Sequence, residues 1–199
     1  MWDADPAVLG GMSTKVAHQY LDDDFRRGFA ELAPHGLTFD AFLLAPQLAD
    51  ATDLARQFAD TTIVVDHLGH PVGVGAHAGR LQEEFADWRK NMVDLAGCPN
   101  VFVKMGGLGT FLSGSPTYRS EPPAASETLA AEWKPYAETA VELLGADRVM
   151  FESNVPTDGS GSFNVVCNAY KRILAGCSDA ERADVFAGTA ARVYRLDLP

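Results

Sequence analysis

A parallel α/β fold, either a barrel or a doubly wound sheet, is what the sequence predicts, on three observations. Three apolar runs end abruptly in polar residues: 61–71 (TTIVVDHLGHP), 100–107 (NVFVKMGG) and 148–156 (RVMFESNVP). Strands buried on both faces read as continuous apolar runs, and in parallel sheets the polar residues at their carboxyl ends carry the chemistry. Segments of helical period separate these runs, and parallel strands require such crossovers. No internal repeat or linker interrupts the 199 residues, a length that suits a single domain over 1–199.

In chain order, residues 1–14 (MWDADPAVLGGMST) show no period and read as an entry loop. Residues 22–33 read as a helix. Its aspartates Asp22, Asp23 and Asp24 lie where the macrodipole favours them, and Phe25, Phe29 and Leu32 form its apolar stripe. Gly36 suits a left-handed C-terminal cap. A first strand follows at 37–44, a short helix at 48–58 and the second strand at 63–67. Residues 72–79 form a glycine-rich loop. Leu81, Phe85, Trp88, Met92 and Leu95 then recur at helical spacing until Gly97 and Pro99 stop them, and that stripe reads as core.

The third strand is expected at 101–105. The Gly, Ser and Pro of 106–123 make a connection longer than most, a loop over the site. Helical residues fill 126–144, where Pro135 is expected to divide them. The fourth strand is placed at 149–153 and a helix at 163–174. Ser178 with Glu181 forms a capping box, and a last helix covers 189–196.

The formal net charge of −11 argues against nucleic acid or anionic membrane as the main partner, since both need clustered cations. Cys98, Cys167 and Cys177 lack metal-ligand spacing and read as reduced thiols of a cytoplasmic protein. Neither a signal segment nor an apolar run of bilayer length is seen. The glycines of 73–75 and 106–109 give neither the dinucleotide nor the Walker spacing, and a Gly-x-Ser-x-Gly elbow is absent.

In order along the chain, Asp66-His67-Leu68-Gly69-His70-Pro71, Pro99-Asn100-Val101 running to Lys104 and Gly107, Arg148 to Pro156, and the tail from Gly188 to Leu196 together resemble the amidohydrolase-related family of barrel hydrolases, which includes sugar lactonases and pyrone-dicarboxylate lactonase. The resemblance implies a (β/α)8 TIM-barrel-like fold, here incomplete. A full barrel takes roughly 250 residues, and the family's opening strand with its His-x-His pair is missing. It implies hydrolysis of a lactone, ester or amide carbonyl in a small acidic or sugar-derived substrate. His67, Asn154 and Glu152 are then the catalytic set. His67 would ligate a metal or, with Lys104, stabilise an oxyanion; Asn154 would position water or donate an N–H; Glu152 would replace the usual aspartate as base. Lys104, His70, Gly107 and Ser153 are the expected substrate-binding residues. At most one divalent metal is implied, with His67 its ligand, or none.

Asn154 stands where most of the family has an aspartate, and an amide is a poor base. The rival expectation is a non-catalytic barrel fragment that binds a small molecule or a partner chain, including a second copy across an open sheet edge. Asp66 reads as a brace facing away from His67, and Arg148 and Arg192 as structural ion-pair partners.

Overall fold

Each of the four expected strands forms, and all run parallel in chain order: β1 (Phe39–Ala41), β2 (Ile63–Val65), β3 (Val101–Met105) and β4 (Val149–Phe151). These come from a computed structural model that describes residues 1–14 and 16–197. The register aligns Phe39 with Ile63 and Val101, Asp40 with Val64 and Phe102, and Lys104 with Met150. A doubly wound sheet reverses its strand order, whereas this sheet keeps it, as consecutive strands of a barrel do. The fold is α/β and corresponds to part of a TIM barrel.

Side chains alternate along a strand, so the sheet has two unlike faces. Ala41, Ile63, Val65, Val101, Val103, Met105 and Val149 join one core with the helices α3 (Leu48–Gln57), α4 (Leu81–Ala96), α5 (Ser126–Leu144) and α6 (Phe163–Ile173). Trp88, Met92 and Leu95 of α4 are buried in it and Phe85 packs against it, so most of the stripe is core as expected, but Leu81 at its start is exposed. The other face carries Asp40, Phe102 and Lys104, and it receives Tyr194 from α8 (Thr189–Tyr194).

The entry segment is not all loop. Asp5 caps a helical turn, α1 (Pro6–Leu9), by accepting from the Ala7 N–H, and Val8 and Leu9 pack with Leu44, Val72 and Leu112. Four residues are too few to show a period, although Asp before Pro is a helix-start signal. The second helix, α2 (Asp23–Phe29), starts on Asp22, whose carboxylate accepts from the Phe25 N–H. It ends at Phe29, short of the expected 33, with Ala30 rather than Gly36 as its cap; Gly36 is left-handed but closes the turns that follow, with Gly36 N–H to Ala33 and Leu37 N–H to Leu32.

Pro135 does not divide its helix: α5 runs unbroken from Ser126 to Leu144. A proline inside a helix costs about 3 kcal/mol. Leu129 and Trp133 before it, and Ala137 and Ala140 after it, are all buried in the same core, which holds the two halves on one axis. Ser178 and Glu181 do form a capping box, at the start of α7 (Asp179–Ala183). Arg192 pairs with Asp184. Arg148, expected in an ion pair, instead donates to the carbonyls of Leu144, Ala96 and Cys98 and ties helix ends together. Among the described residues no helix is long and apolar enough to cross a membrane.

Candidate active site at the strand ends

β2 stops at Val65, two residues short of the expected strand end, because the chain turns left-handed there. His67, Leu68, Gly69 and His70 have φ of 56, 56, 69 and 41°. Three features hold this corner. The Leu68 side chain is fully buried, and its carbonyl accepts from the Trp88 indole at 2.7 Å. A Cβ on Gly69 would stand 2.7 Å from Leu48, so only glycine fits there.

The corner aims His67 at the end of β4, where its Nδ1 hydrogen-bonds the Glu152 carboxylate. Both side chains are mostly buried, 14% and 18% exposed. A glycine pair beneath them makes room. A Cβ on Gly107 would lie 2.5 Å from the His67 Cβ, and one on Gly106 would lie 2.2 Å from the Glu152 Cγ. A carboxylate accepts, so the bond assigns the proton to Nδ1 and leaves Nε2 as the ring's acceptor.

His70 packs edge-on against His67, with ring centroids 4.5 Å apart, and Phe42 lies edge-on to both rings. His70 is 4% exposed, and its Nδ1 has no partner among the described residues. Burial, with His67 beside it, pushes its pKa down to about 3, so it is neutral.

Beyond β4, Asn154 adopts a left-handed φ of 49°, a conformation asparagine tolerates. Its Nδ2 donates to Asp158 Oδ1 at 2.7 Å, while Asp158 Oδ2 accepts from the Gly109 N–H at 3.3 Å. Asp158 is 3% exposed. Burial raises its pKa to about 6, against the lowering effect of those two hydrogen bonds and of His67. The Ser153 hydroxyl accepts from the Val155 N–H within its own loop.

Lys104 belongs to a different cluster. Its ammonium lies 2.9 Å from Asp40 Oδ2 and 2.8 Å from Asp66 Oδ1, and Tyr194 donates to the other Asp40 oxygen at 2.8 Å. The Asp66 contact is an ion pair without hydrogen-bond alignment. Burial works against the charge on Lys104, but the two carboxylates of Asp66 and Asp40 outweigh it and raise its pKa.

The structure therefore gathers His67, Glu152, Gly107 and His70, places Asn154 on Asp158, and holds Lys104 between two carboxylates. Asp158, Gly106 and Phe42 are site residues that the sequence reading did not name. A signal for Asp158 existed in an aspartate four residues after Asn154 in a Gly/Ser loop. Among the described residues no group of three His, Cys, Asp or Glu side chains could hold a metal ion. With Nδ1 of His67 bound to Glu152 and an amide at 154, these residues alone do not fit a protein-held divalent metal.

The family model described as amidohydrolase matches residues 10–196. An uncharacterised protein of Sinorhizobium fredii, y4mH, is 37% identical over 87% of this chain and 52% of its own length. An L-fucono-1,5-lactonase of Burkholderia multivorans is 30% identical over 90% of this chain and 59% of its own. This chain thus spans little more than half the length of the curated relatives it matches. A crystal structure of a Burkholderia multivorans amidohydrolase with bound zinc superposes with a TM-score of 0.76 at 27% identity, covering 89% of this chain and 59% of that one.

Proposed function

This chain belongs to the amidohydrolase family, and on that premise we propose that it hydrolyses a lactone or related ester of a small, acidic or sugar-derived molecule. The observation that carries the reading is the His67–Glu152 pair at the strand ends, in which the carboxylate engages Nδ1 and Nε2 is the ring nitrogen it does not use. The lactonase names of two relatives at 30% identity support the substrate class.

In this reading Nε2 of His67 takes a proton from water as the water oxygen bonds to the carbonyl carbon. Glu152 stabilises the imidazolium that forms. The imidazolium then returns the proton to the leaving ring oxygen as the C–O bond breaks, giving the hydroxy acid. Glu152 is thus a partner of the base rather than the base that the sequence suggested. Asn154 orients the water. His70, uncharged, adds no repulsion to the imidazolium, and it shapes the wall with Phe42 and Gly107. Lys104 stays on Asp40 and Asp66 and adds a background field. These residues by themselves do not fit a divalent metal.

The test is a pH-indicator assay of the full chain on a panel of aldonolactones, with His67→Ala as control. Turnover by wild type that falls about a thousandfold in the variant is expected. Background rates with wild type on the whole panel would end the proposal.

A further inference from the structure

A carboxamide has two unlike ends, and the end that its partner leaves free decides what Asn154 can do. Its carbonyl accepts a hydrogen bond from a water; its NH2 donates to an oxyanion. What fixes the choice lies on the other side. Asp158 Oδ1 holds Asn154 Nδ2 at 2.7 Å, and Oδ2 is engaged by the Gly109 N–H at 3.3 Å. The Asp158 N–H also donates to the Asn154 backbone carbonyl at 2.8 Å, closing the loop on itself. An ionised carboxylate offers no donor, so it can bind only the NH2 end of the amide.

We propose that Asp158 is a positioning residue whose carboxylate determines which end of the Asn154 carboxamide is turned to the substrate. Ionised, it keeps NH2 inward and the carbonyl outward, ready to accept from the attacking water. Protonated, Asp158 becomes a donor through Oδ1. The amide then turns over to accept that proton, Oδ2 keeps the Gly109 bond, and NH2 faces outward. The inference deepens the hydrolase reading above and rests on it for its catalytic consequence.

The groups around Asp158 fit such a role. Glu152, after β4, resists its ionisation, and a charged His67 favours it. The loop carrying Gly109 presents only a backbone N–H. From α6, Tyr170 is kept neutral by burial first, then by Asp158 and Glu152, and its hydroxyl has no partner among the described residues. Burial puts the Asp158 transition at about 6, so both amide orientations are reachable near neutral pH.

The experiment follows the Asn154 side-chain amide by 1H–15N NMR in the full chain, assigning it by its loss in Asn154→Ala. Between about pH 4.5 and 7.5 the wild-type resonance should move with a midpoint near the raised Asp158 pKa. In Asp158→Asn, which mimics the protonated acid, the resonance should stay at its acid-limit position. A flat wild-type titration, or one that survives in Asp158→Asn, overturns the inference. If that variant does not fold, the wild-type titration decides alone. In the lactone assay Asp158→Asn should lower kcat roughly ten- to a hundredfold with KM within about threefold. A moving resonance in a protein without lactonase activity sinks the hydrolase reading and leaves the positioning intact.

Discussion

His67 and Lys104 stand at the ends of neighbouring parallel strands, and each meets a carboxylate from elsewhere in the chain, yet the two clusters differ in what they leave unused. Around Lys104, the ammonium lies between Asp40 and Asp66 and a phenol occupies a further Asp40 oxygen. Charges balanced in this way hold elements together and have little capacity left for a ligand. Around His67, one ring nitrogen is committed to Glu152, the second imidazole is neutral with a buried nitrogen unpartnered, and a buried carboxylate supports an amide. The lesson is that residue type at a strand end does not distinguish scaffold from chemistry. What does is whether the partners balance the group's charge or leave a ring nitrogen uncommitted.

The contrast can be tested from both sides. The largest effect should come from Glu152→Gln, which keeps the shape but removes the charge behind the imidazolium. We expect kcat on a lactone to fall about a hundred- to a thousandfold with the fold intact by circular dichroism. A loss under threefold would place Glu152 with the scaffold.

Next is the buried carboxylate. Asp158 has a folded pKa of about 6 against an ordinary 3.8, so the fold disfavours its ionised form. Its effect on stability is absent while both states are protonated, well below the ordinary 3.8, grows as pH rises from that value to the folded one, and is fully destabilising above about 6. Urea unfolding should therefore show Asp158→Asn gaining on wild type by up to about 3 kcal/mol between pH 4 and pH 7.5. A gap that does not change with pH would contradict the raised pKa.

Gly107→Ala should destabilise by about 2 kcal/mol and lower activity, because its φ of 71° strains any Cβ and that Cβ would strike His67. Smallest, Lys104→Met should cost about 1–2 kcal/mol by leaving Asp66 and Asp40 unpaired, with kcat/KM within about threefold of wild type. A hundredfold loss of kcat/KM at unchanged stability would move Lys104 to the catalytic side.

Much of the framework could be read from the chain because it is written in local pattern. β3 lies at 101–105 as expected, and the α4 stripe and the Ser178 box are where periodicity and capping place them. The site was less legible. Alternation along a strand says which face His67 occupies only while the strand continues, and the strand stops at Val65. Nothing in the composition of 66–70 announces positive φ at two histidines and a leucine. The partners of Lys104 were hidden for another reason. Asp40 is 64 residues away from it, and Tyr194 is 154 from Asp40, so their meeting depends on tertiary packing. Pro135 stays inside its helix because the buried residues on either side outweigh intrinsic propensity, which is all that a local pattern shows.

The corner at 67–70 also bears on any attempt to move the His67–Glu152 pair to another scaffold. Each residue with a Cβ held left-handed costs about 1–2 kcal/mol, so the bend persists only where Leu68 has a hydrophobic seat and Gly69 lies against Leu48. A histidine grafted onto a straight strand tip would point wherever its parity dictated and miss the carboxylate. The transplantable unit is the bend together with its anchors, and the imidazole is only its passenger.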